Sequence, residues 1–382
     1  MDVFRGNRAI RFLSNVVPRD EFSKKPVSVL IAARNEERNL REALRSILSQ
    51  DYPELEFIVV DDRSTDRTGE ILGALAREEP RLRVVTVNDL PPGWLGKNHA
   101  LHLAAQSASG EILLFTDADI FMRSDTIRRA VSELEERSVD HLALTPVTRM
   151  QSLFLQLFMG TFVYFFTFFY RPWKARDPRS RSYIGIGAFN LVRRGAYRAA
   201  GGHEAIRMRP DDDVKLGKLI KLHGFRQDLV YGKGMVEVEW YSSLGELIEG
   251  LMKNMFAGVE YRISAVVGST LAVLLLCVWP FAGIFAGLVV SSPAVSVLNA
   301  AAVLAILAVF WDTMDFAGLK RWSGLVFPLA AILFLFIMWK ATIRTLRENG
   351  IRWRGTHYPL AELRANEVPH RGWRRSAGRR PA

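Results

Sequence analysis

The 382-residue chain has one cysteine, Cys277, so an intrachain disulfide and a cysteine-based zinc site are both excluded. That usage fits a reducing compartment. Histidine is sparse as well: of seven, His99 and His102 form the closest pair, at helical i, i+3 spacing, and no third ligand type stands near at a recognisable spacing. Both glycine signatures for phosphate are missing. No G-x-G-x-x-G follows the first apolar strand and no G-x-x-x-x-G-K-[ST] occurs, which argues against a dinucleotide oxidoreductase and a P-loop ATPase. A formal charge of +11 invites nucleic acid, yet there is no zinc finger, RNP signature or basic helix with interleaved aromatics. The N-terminus lacks the apolar h-region of a cleavable signal peptide. The largest absence is of charge itself: none occurs from Ile263 to Trp311.

That uncharged stretch is too long for one span and carries Ser291-Ser292-Pro293 near its middle, so it predicts two helices in a hairpin, each near the ~20 residues a bilayer requires. A third span is expected from Trp322 to Trp339, flanked by Arg321 and Lys340, with tryptophans placed as an aromatic belt. The core of a soluble helical protein would not need two adjacent runs of this length. A fourth apolar run, Met150 to Tyr170, is rich in phenylalanine. Acidic groups precede it and follow it; if they serve one site, a single crossing would separate them. It is therefore expected to lie in the membrane interface or to dip and return.

The excess positive charge is concentrated at the ends. From Thr345 onward there are nine Arg against three Glu, and the first 25 residues hold six Lys or Arg against three acids. Both segments are expected outside the folded core, attracted to anionic lipid headgroups by ~1 kcal/mol per residue. The expected division is a basic N-terminal segment over 1–25, an α/β domain over 26–260, a transmembrane region over 261–344 and an Arg-rich tail over 345–382. With that α/β domain cytoplasmic on a bacterial-type inner membrane and three spans behind it, the tail falls outside, against the positive-inside preference. Either one segment is re-entrant or the tail breaks the rule.

Ahead of the membrane region, apolar runs at Val27–Ala33, Phe57–Val60, Val84–Val87, Ile112–Phe115 and Leu142–Val147 alternate with helical faces such as Leu40, Leu44, Ile47 and Leu48. This pattern predicts βαβ units and a mostly parallel, Rossmann-like sheet, whose ligands bind beyond the carboxyl ends of the strands. Those ends read Arg34-Asn35-Glu36-Glu37, Asp61-Asp62 and Asp117-Ala118-Asp119. Asp117 and Asp119, two apart, point to one side and offer hard oxygen ligands suited to Mg²⁺ or Mn²⁺; the same triplet also fits an ordinary strand-end turn. Asp61 to Asp66 can supply an acceptor for a base or ribose while Ser64 or Thr65 caps the next helix. Asp211-Asp212-Asp213 fits a reactive carboxylate or an acid-rich helix N-terminus, and Lys97 fits an anion ligand or a solvated loop lysine. Gly185-Ile186-Gly187-Ala188-Phe189-Asn190 allows backbone to approach a sugar, or makes a plain turn.

Four segments in order resemble family 2 glycosyltransferases of the GT-A fold: Val27 to Glu37, Val59 to Asp66, Thr116-Asp117-Ala118-Asp119, and Asp211 to Gly217. The likeness runs from about Val27 to Phe256. Gly93-Trp94-Leu95-Gly96-Lys97 with Ala100-Leu101 is similar to the membrane-anchored members that glycosylate lipids, the ceramide glucosyltransferase, carotenoid and hopanoid-associated group. The resemblance implies a nucleotide-sugar donor, a UDP-sugar being the expected one, and a membrane lipid acceptor. It implies that Ala33, Arg34, Glu36, Asp62, Lys97 and Asp117 line the nucleotide-sugar site, that Asp117 and Asp119 handle the metal and diphosphate, and that Asp213 is the catalytic base. The family has Glu-Asp where this chain has Asp212-Asp213, so Asp212 reaches one methylene less far into the same place. The Gln/Arg-x-x-Arg-Trp motif of processive members is not evident; Glu239-Trp240-Tyr241 and Lys253-Asn254 occupy that region, leaving Lys253 as a candidate diphosphate ligand.

A carboxylate within reach can take the proton of an acceptor hydroxyl as it attacks the anomeric carbon, while cationic groups stabilise the departing diphosphate. One displacement inverts the centre. Two rival readings are a non-catalytic membrane scaffold with a degenerate sugar-nucleotide fold and a polysaccharide-type synthase. A transporter would be expected to carry ionisable groups within its spans, and none lies between Arg262 and Asp312.

Overall fold

The computed structural model describes residues 2–368 apart from Gln151 and Trp240. The chain divides into two compact units. One comprises residues 10–148, 172–238 and 365 onward, and the other residues 1–9, 149–171 and 239–364.

The first unit is an α/β body on an eight-stranded sheet. Its order is Arg11–Phe12, Gln227–Tyr231, His141–Thr145, Asn190–Arg193, Ile112–Asp117, Val27–Ala33, Leu55–Asp62 and Leu82–Val87. All five strands read from the sequence are present, and every pairing is parallel except those of Asn190–Arg193, which runs antiparallel to both neighbours. Alternation of side chains sends Val29, Ile31, Val59 and Leu114 into one buried cluster and Leu30, Ile58, Val60 and Phe115 into another, so both faces are covered. The helices Leu40–Leu48 and Thr68–Glu78 contribute Leu44, Ile47, Leu72 and Leu75 to the first cluster, while Gly96–Ser107 contributes Ala100, Leu101 and Ala104 to the second.

Two segments expected outside the core belong to it. Residues 11–12 form the edge strand beside Val230 and Tyr231, and Leu13 and Val16 are buried in the first cluster. The basic residues around them meet the acidic helix Thr126–Glu136: Arg11 pairs with Glu133 at 2.7 Å, Arg19 with Glu136 at 2.8 Å and Lys25 with Glu135 at 3.1 Å. These charges are committed within the protein instead of to headgroups. Of the tail, residues 350–353 and 356–359 form a hairpin, and Val368 is buried in the second cluster of the α/β unit. The part of the Arg-rich tail from Pro369 onward, and Trp240, lie outside the described residues.

The second unit is helical: Leu153–Tyr170, Leu244–Gly258, Ile263–Val273 continued by Trp279–Val289, Pro293–Ala317 and Phe327–Arg347. Among the described residues, four helices are long and apolar enough to cross a membrane, with mean hydropathy of 1.6, 2.4, 2.3 and 2.1 in chain order. The three expected spans are among them; the Phe-rich run, expected to be interfacial, is the fourth.

His141 shows how tightly the central sheet is tied. Its ring is fully buried, with Nε2 at 3.0 Å from Asn190 Oδ1 and Nδ1 at 3.0 Å from Gln227 Nε2, linking three adjacent strands. Burial penalises the imidazolium and pushes the pKa down to about 4. The folded-state value lies below the ~6.5 of an unfolded chain, so the unfolded state takes up the proton first. Stability should therefore fall as pH drops from about 6.5 towards 4, by up to ~3 kcal/mol from this residue. Thermal unfolding in detergent at pH 7.5 and 5 should show the loss, and His141→Gln should shrink the difference between the two temperatures.

Candidate active site

Three strands of the α/β unit end side by side in acids, as parallel register requires: Ala32 lies opposite both Val60 and Asp117, and Ala33 opposite Asp61. The loops after the first two strands are laced together. Asn35 N–H donates to Ser64 Oγ at 3.1 Å, Glu36 N–H to Thr68 Oγ1 at 2.8 Å, and Thr65 N–H to Asn35 Oδ1 at 2.8 Å. Ser64 and Thr65 thus serve the neighbouring loop. The first donor of the following helix, Thr68 N–H, is met by Asp66 Oδ1 at 2.9 Å, in place of the expected Ser64 or Thr65 cap.

Asp62 is buried and held by two cations: Arg63 grips it at 2.7 and 3.0 Å, and Arg34 Nη1 lies 3.5 Å from Oδ2. Arg63 adopts the left-handed region at φ 57° to make that contact. Arg34 Nε is buried with no hydrogen-bond partner. Gly96 faces Asp62 so closely that any side chain there would strike the carboxylate, and the next residue along that helix is Lys97.

Lys97 is the centre of the cluster. Its ammonium lies 2.7 Å from Asp117 Oδ1 and 3.6 Å from Asp212 Oδ2. Burial opposes its charge, but Asp117, Asp212 and Asp213 outweigh burial and hold its pKa above the usual lysine range. Asp213 is pushed up to about 7, first by burial and then by Asp212. Its Oδ2 accepts from Gly187 N–H at 2.7 Å and its Oδ1 from Val214 N–H at 2.8 Å. Asp119 also rises to about 7, through burial, Asp117 and Glu36. Lys97, Thr116, Asp117, His203, Asp212 and Asp213 line one cavity.

The Gly185 to Asn190 segment serves this cluster. A Cβ on Gly187 would stand 2.8 Å from Asp117 Oδ2 and 3.4 Å from Asp213 Oδ2, so glycine lets the backbone pass between the two acids. Any side chain on Gly185 would collide with the Asp213 carbonyl. Asn190 Oδ1 accepts from Ile186 N–H at 3.1 Å, and Thr116 Oγ1 donates to the Ala188 carbonyl at 2.7 Å, pinning the loop at both ends.

Asp211, first of the acidic triplet, is neutralised by fully buried Arg209, at 2.9 and 3.0 Å, and by Lys215 at 3.3 Å. Burial alone would raise the pKa of Asp211; the two cations bring it below the usual carboxylate range. His203, to which sequence assigned no role, is buried against the cavity, its Nδ1 2.9 Å from Tyr197 Oη. Asn98 joins the two halves of the cluster: its Nδ2 donates to the carbonyls of Ile206 at 2.8 Å and Arg209 at 2.9 Å, fastening the Lys97 helix to the loop that leads into Asp211. Asp-rich segments declare themselves by composition; a buried amide bonding to distant carbonyls does not.

Lys253 belongs to the helical unit, with its Nζ 3.8 Å from the centre of the Trp353 ring. That cation–π contact gives the side chain a structural partner. His99 and His102 flank Trp94, their rings 5.5 and 4.9 Å from it. Among the described residues no group of three or more His, Cys, Asp or Glu is arranged to hold a metal by itself.

A mostly parallel sheet with acidic strand ends, a lysine among carboxylates and no glycine-rich phosphate loop is the GT-A glycosyltransferase architecture. The chain is similar in fold to the mannosyltransferase PcManGT from Pyrobaculum calidifontis, solved in complex with GDP-Man and Mn²⁺, with a TM-score of 0.52, 20% identity and coverage of 89% of this chain and 93% of that one. Residues 28–201 match the model of Glycosyl transferase family 2. Over those residues the chain resembles that family. It is similar to the 4,4'-diaponeurosporenoate glycosyltransferases of Staphylococcus haemolyticus, 26% identical with 70% of each chain covered, and Staphylococcus aureus strain USA300, 24% identical with 89% of this chain and 90% of the relative covered.

Asn98→Ala should leave the Ile206 and Arg209 carbonyls without their buried donor, costing ~2–3 kcal/mol. Thermal unfolding in detergent should show the drop, with Asn98→Asp recovering none of it, since a carboxylate cannot donate to carbonyls.

Proposed function

We propose that this enzyme transfers a sugar, with inversion, from a nucleotide-diphosphate sugar to a lipid hydroxyl held in the membrane. The observation that carries the reading is the convergence of Lys97, Asp117, Asp212 and Asp213 on one cavity, in a chain that also holds helices apolar enough for a bilayer. The relatives' names, which specify 4,4'-diaponeurosporenoate, support an apolar acceptor. A UDP-sugar is the first donor to test. The residue division behind this reading is a catalytic body over 26–260 extended by residues 10–25 and 365–368, a membrane region over 261–344 and a basic tail. The membrane is the cell's inner membrane, crossed more than once, with the α/β unit in the cytoplasm, where nucleotide sugars are made.

Ala33, Arg34, Glu36 and Asp62 form the nucleotide side of the site, with Arg34 and Arg63 orienting the Asp62 carboxylate. Lys97 exchanges part of its contact with Asp117 for the diphosphate as the donor binds. Mg²⁺ or Mn²⁺ fits beside Asp117 and Asp119, because the available donors are all carboxylate oxygens, and the pKa of Asp119 is raised first by burial and then by the charges of Asp117 and Glu36. Such a cation would neutralise charge developing on the leaving diphosphate. Two side chains leave its other positions to phosphate and water, consistent with the lack of a three-residue protein cage.

Asp213 is the base. Gly187 and Val214 N–H groups fix the orientation of its carboxylate, and a pKa near 7 matches a group that must accept a proton at neutral pH. Asp212 raises that pKa and pairs with Lys97, a supporting role its shorter reach allows.

Asp213→Asn should lower turnover by ~10²–10⁴-fold while nucleotide-diphosphate binding, measured by calorimetry with Mn²⁺, changes only a few-fold. Retained turnover would remove Asp213 from the mechanism; loss of Mn²⁺-dependent nucleotide binding in the wild type would favour the scaffold reading. With a hydroxyl acceptor, the rate should fall as pH drops through about 7, because protonating Asp213 removes the base. The ending of the relatives' name denotes a carboxylate, which attacks without losing a proton. A pH-rate profile flat through 7, together with an active Asp213→Asn variant, would point to that acceptor chemistry.

A further inference from the structure

Among the described residues, four helices have the length and apolarity to cross a bilayer, but the covalent path of the chain limits how many can do so. Leu153–Tyr170 leaves the α/β unit after Thr148 and re-enters it at Pro172. A water-soluble body cannot be folded from both sides of a membrane at once, so this helix starts and ends on one side.

Arg321–Arg347 obeys the same constraint by a longer route. Asp312, near the end of Pro293–Ala317, accepts from Asn7 Nδ2 at 3.0 Å and pairs with Arg8 at 2.8 Å. The helix Asp2–Ala9 is only 8 residues, ~12 Å, too short to cross, and the next residue, Ile10, belongs to the α/β unit. The Asp312 end is therefore on the α/β side, and Asp315, one turn further, pairs with Arg321 Nε at 2.6 Å. At the other end, Arg344 pairs at 2.8 Å with Glu249 of Leu244–Gly258, a charged helix too short to span that follows directly from the α/β unit. Beyond it, Asn366 Oδ1 accepts from Met208 N–H at 2.9 Å, its Nδ2 donates to the Ala205 carbonyl at 3.0 Å, and the Val368 carbonyl accepts from Lys218 at 2.7 Å. Both ends of Arg321–Arg347 are thus on the side of the α/β unit.

We propose that the chain crosses the bilayer twice, through the hairpin Ile263–Ala317, and that Leu153–Tyr170 and Arg321–Arg347 lie along the leaflet on the α/β side, docked to its anionic lipids. Exposure separates the two kinds of helix. The hairpin helices are each only 17% buried over their most apolar windows, whereas the two in-plane helices are 39% buried. On Arg321–Arg347 the exposed apolar residues Leu325, Leu329, Ile332, Phe336 and Ile343 recur at spacings of three, four or seven, a single stripe, while Ala331, Ile337, Met338 and Ala341 are buried on the other side. Lys340 and Arg347 continue that stripe and can reach headgroups along their aliphatic stems. The proposal rests on the membrane part of the functional reading and is independent of the sugar chemistry.

The test places single cysteines in a Cys277→Ala background and labels sealed vesicles with a membrane-impermeant maleimide. Lys24→Cys reports the α/β side, Ser291→Cys the hairpin tip, and Arg352→Cys and His357→Cys the segment after the disputed helix. Labelling of positions 352 and 357 together with 24, and loss of labelling at 291 until the vesicles are permeabilised, is the expected result. Positions 352 and 357 labelling together with 291 would establish a third crossing and overturn the proposal. Position 291 labelling together with 24 would show that the hairpin does not cross, while leaving sugar transfer unaffected.

Discussion

The Lys97 ammonium, placed among Asp117, Asp212 and Asp213, is the interaction on which the site depends. Without that positive charge, three carboxylates in a buried cavity would repel one another, and at least one would remain protonated at neutral pH. Asp117 ends a strand, Lys97 sits in the first turn of a helix, and Asp212 and Asp213 begin another. The charge balance therefore holds three separate elements of the α/β unit in register. Asn98 repeats the same connection with neutral groups one residue further on.

Distribution of charge also explains why two aspartates of one triplet behave differently. Asp211 is matched by Arg209 and Lys215 and stays ionised, whereas Asp213 has backbone N–H groups and a neighbouring carboxylate, which leaves it poised near neutrality. A run of three acids thus divides into one that secures the helix start, one that meets the lysine and one held near neutrality by burial and its neighbour.

Much of the α/β unit was legible because parallel, doubly covered strands are continuous apolar runs and end in the polar residues that face a ligand. Val27–Ala33 and Ile112–Asp117 are of this kind. The strand Asn190–Arg193 was not, being only four residues long and ending in Arg193; its antiparallel insertion is a tertiary event without local periodicity. Arg11 and Phe12 were hidden for another reason: a two-residue edge strand amid basic residues resembles a solvated segment until the acidic helix Thr126–Glu136 is beside it. Strand-end position and the family resemblance singled out Asp117, Asp119, Asp212 and Asp213, whereas Asn98 bonds to carbonyls more than 100 residues away, and Arg209 and His203 stand in a segment with no motif of their own. Lys253 was placed by proximity to a family motif, and its ammonium lies over the ring of Trp353, 100 residues away in sequence.

The chain passes between the α/β and helical units at residues 9–10, 148–149, 171–172, 238–239 and 364–365. No single cut releases the α/β unit as a continuous fragment. A truncation ending before the apolar hairpin would keep the phenylalanine-rich Leu153–Tyr170 helix and discard Asn366 and Val368, leaving the Met208 N–H and the Lys218 ammonium to find other acceptors. The unit is a discontinuous domain whose integrity depends on the segment that follows the membrane helices, so catalytic competence is completed only after the last apolar helix has been made.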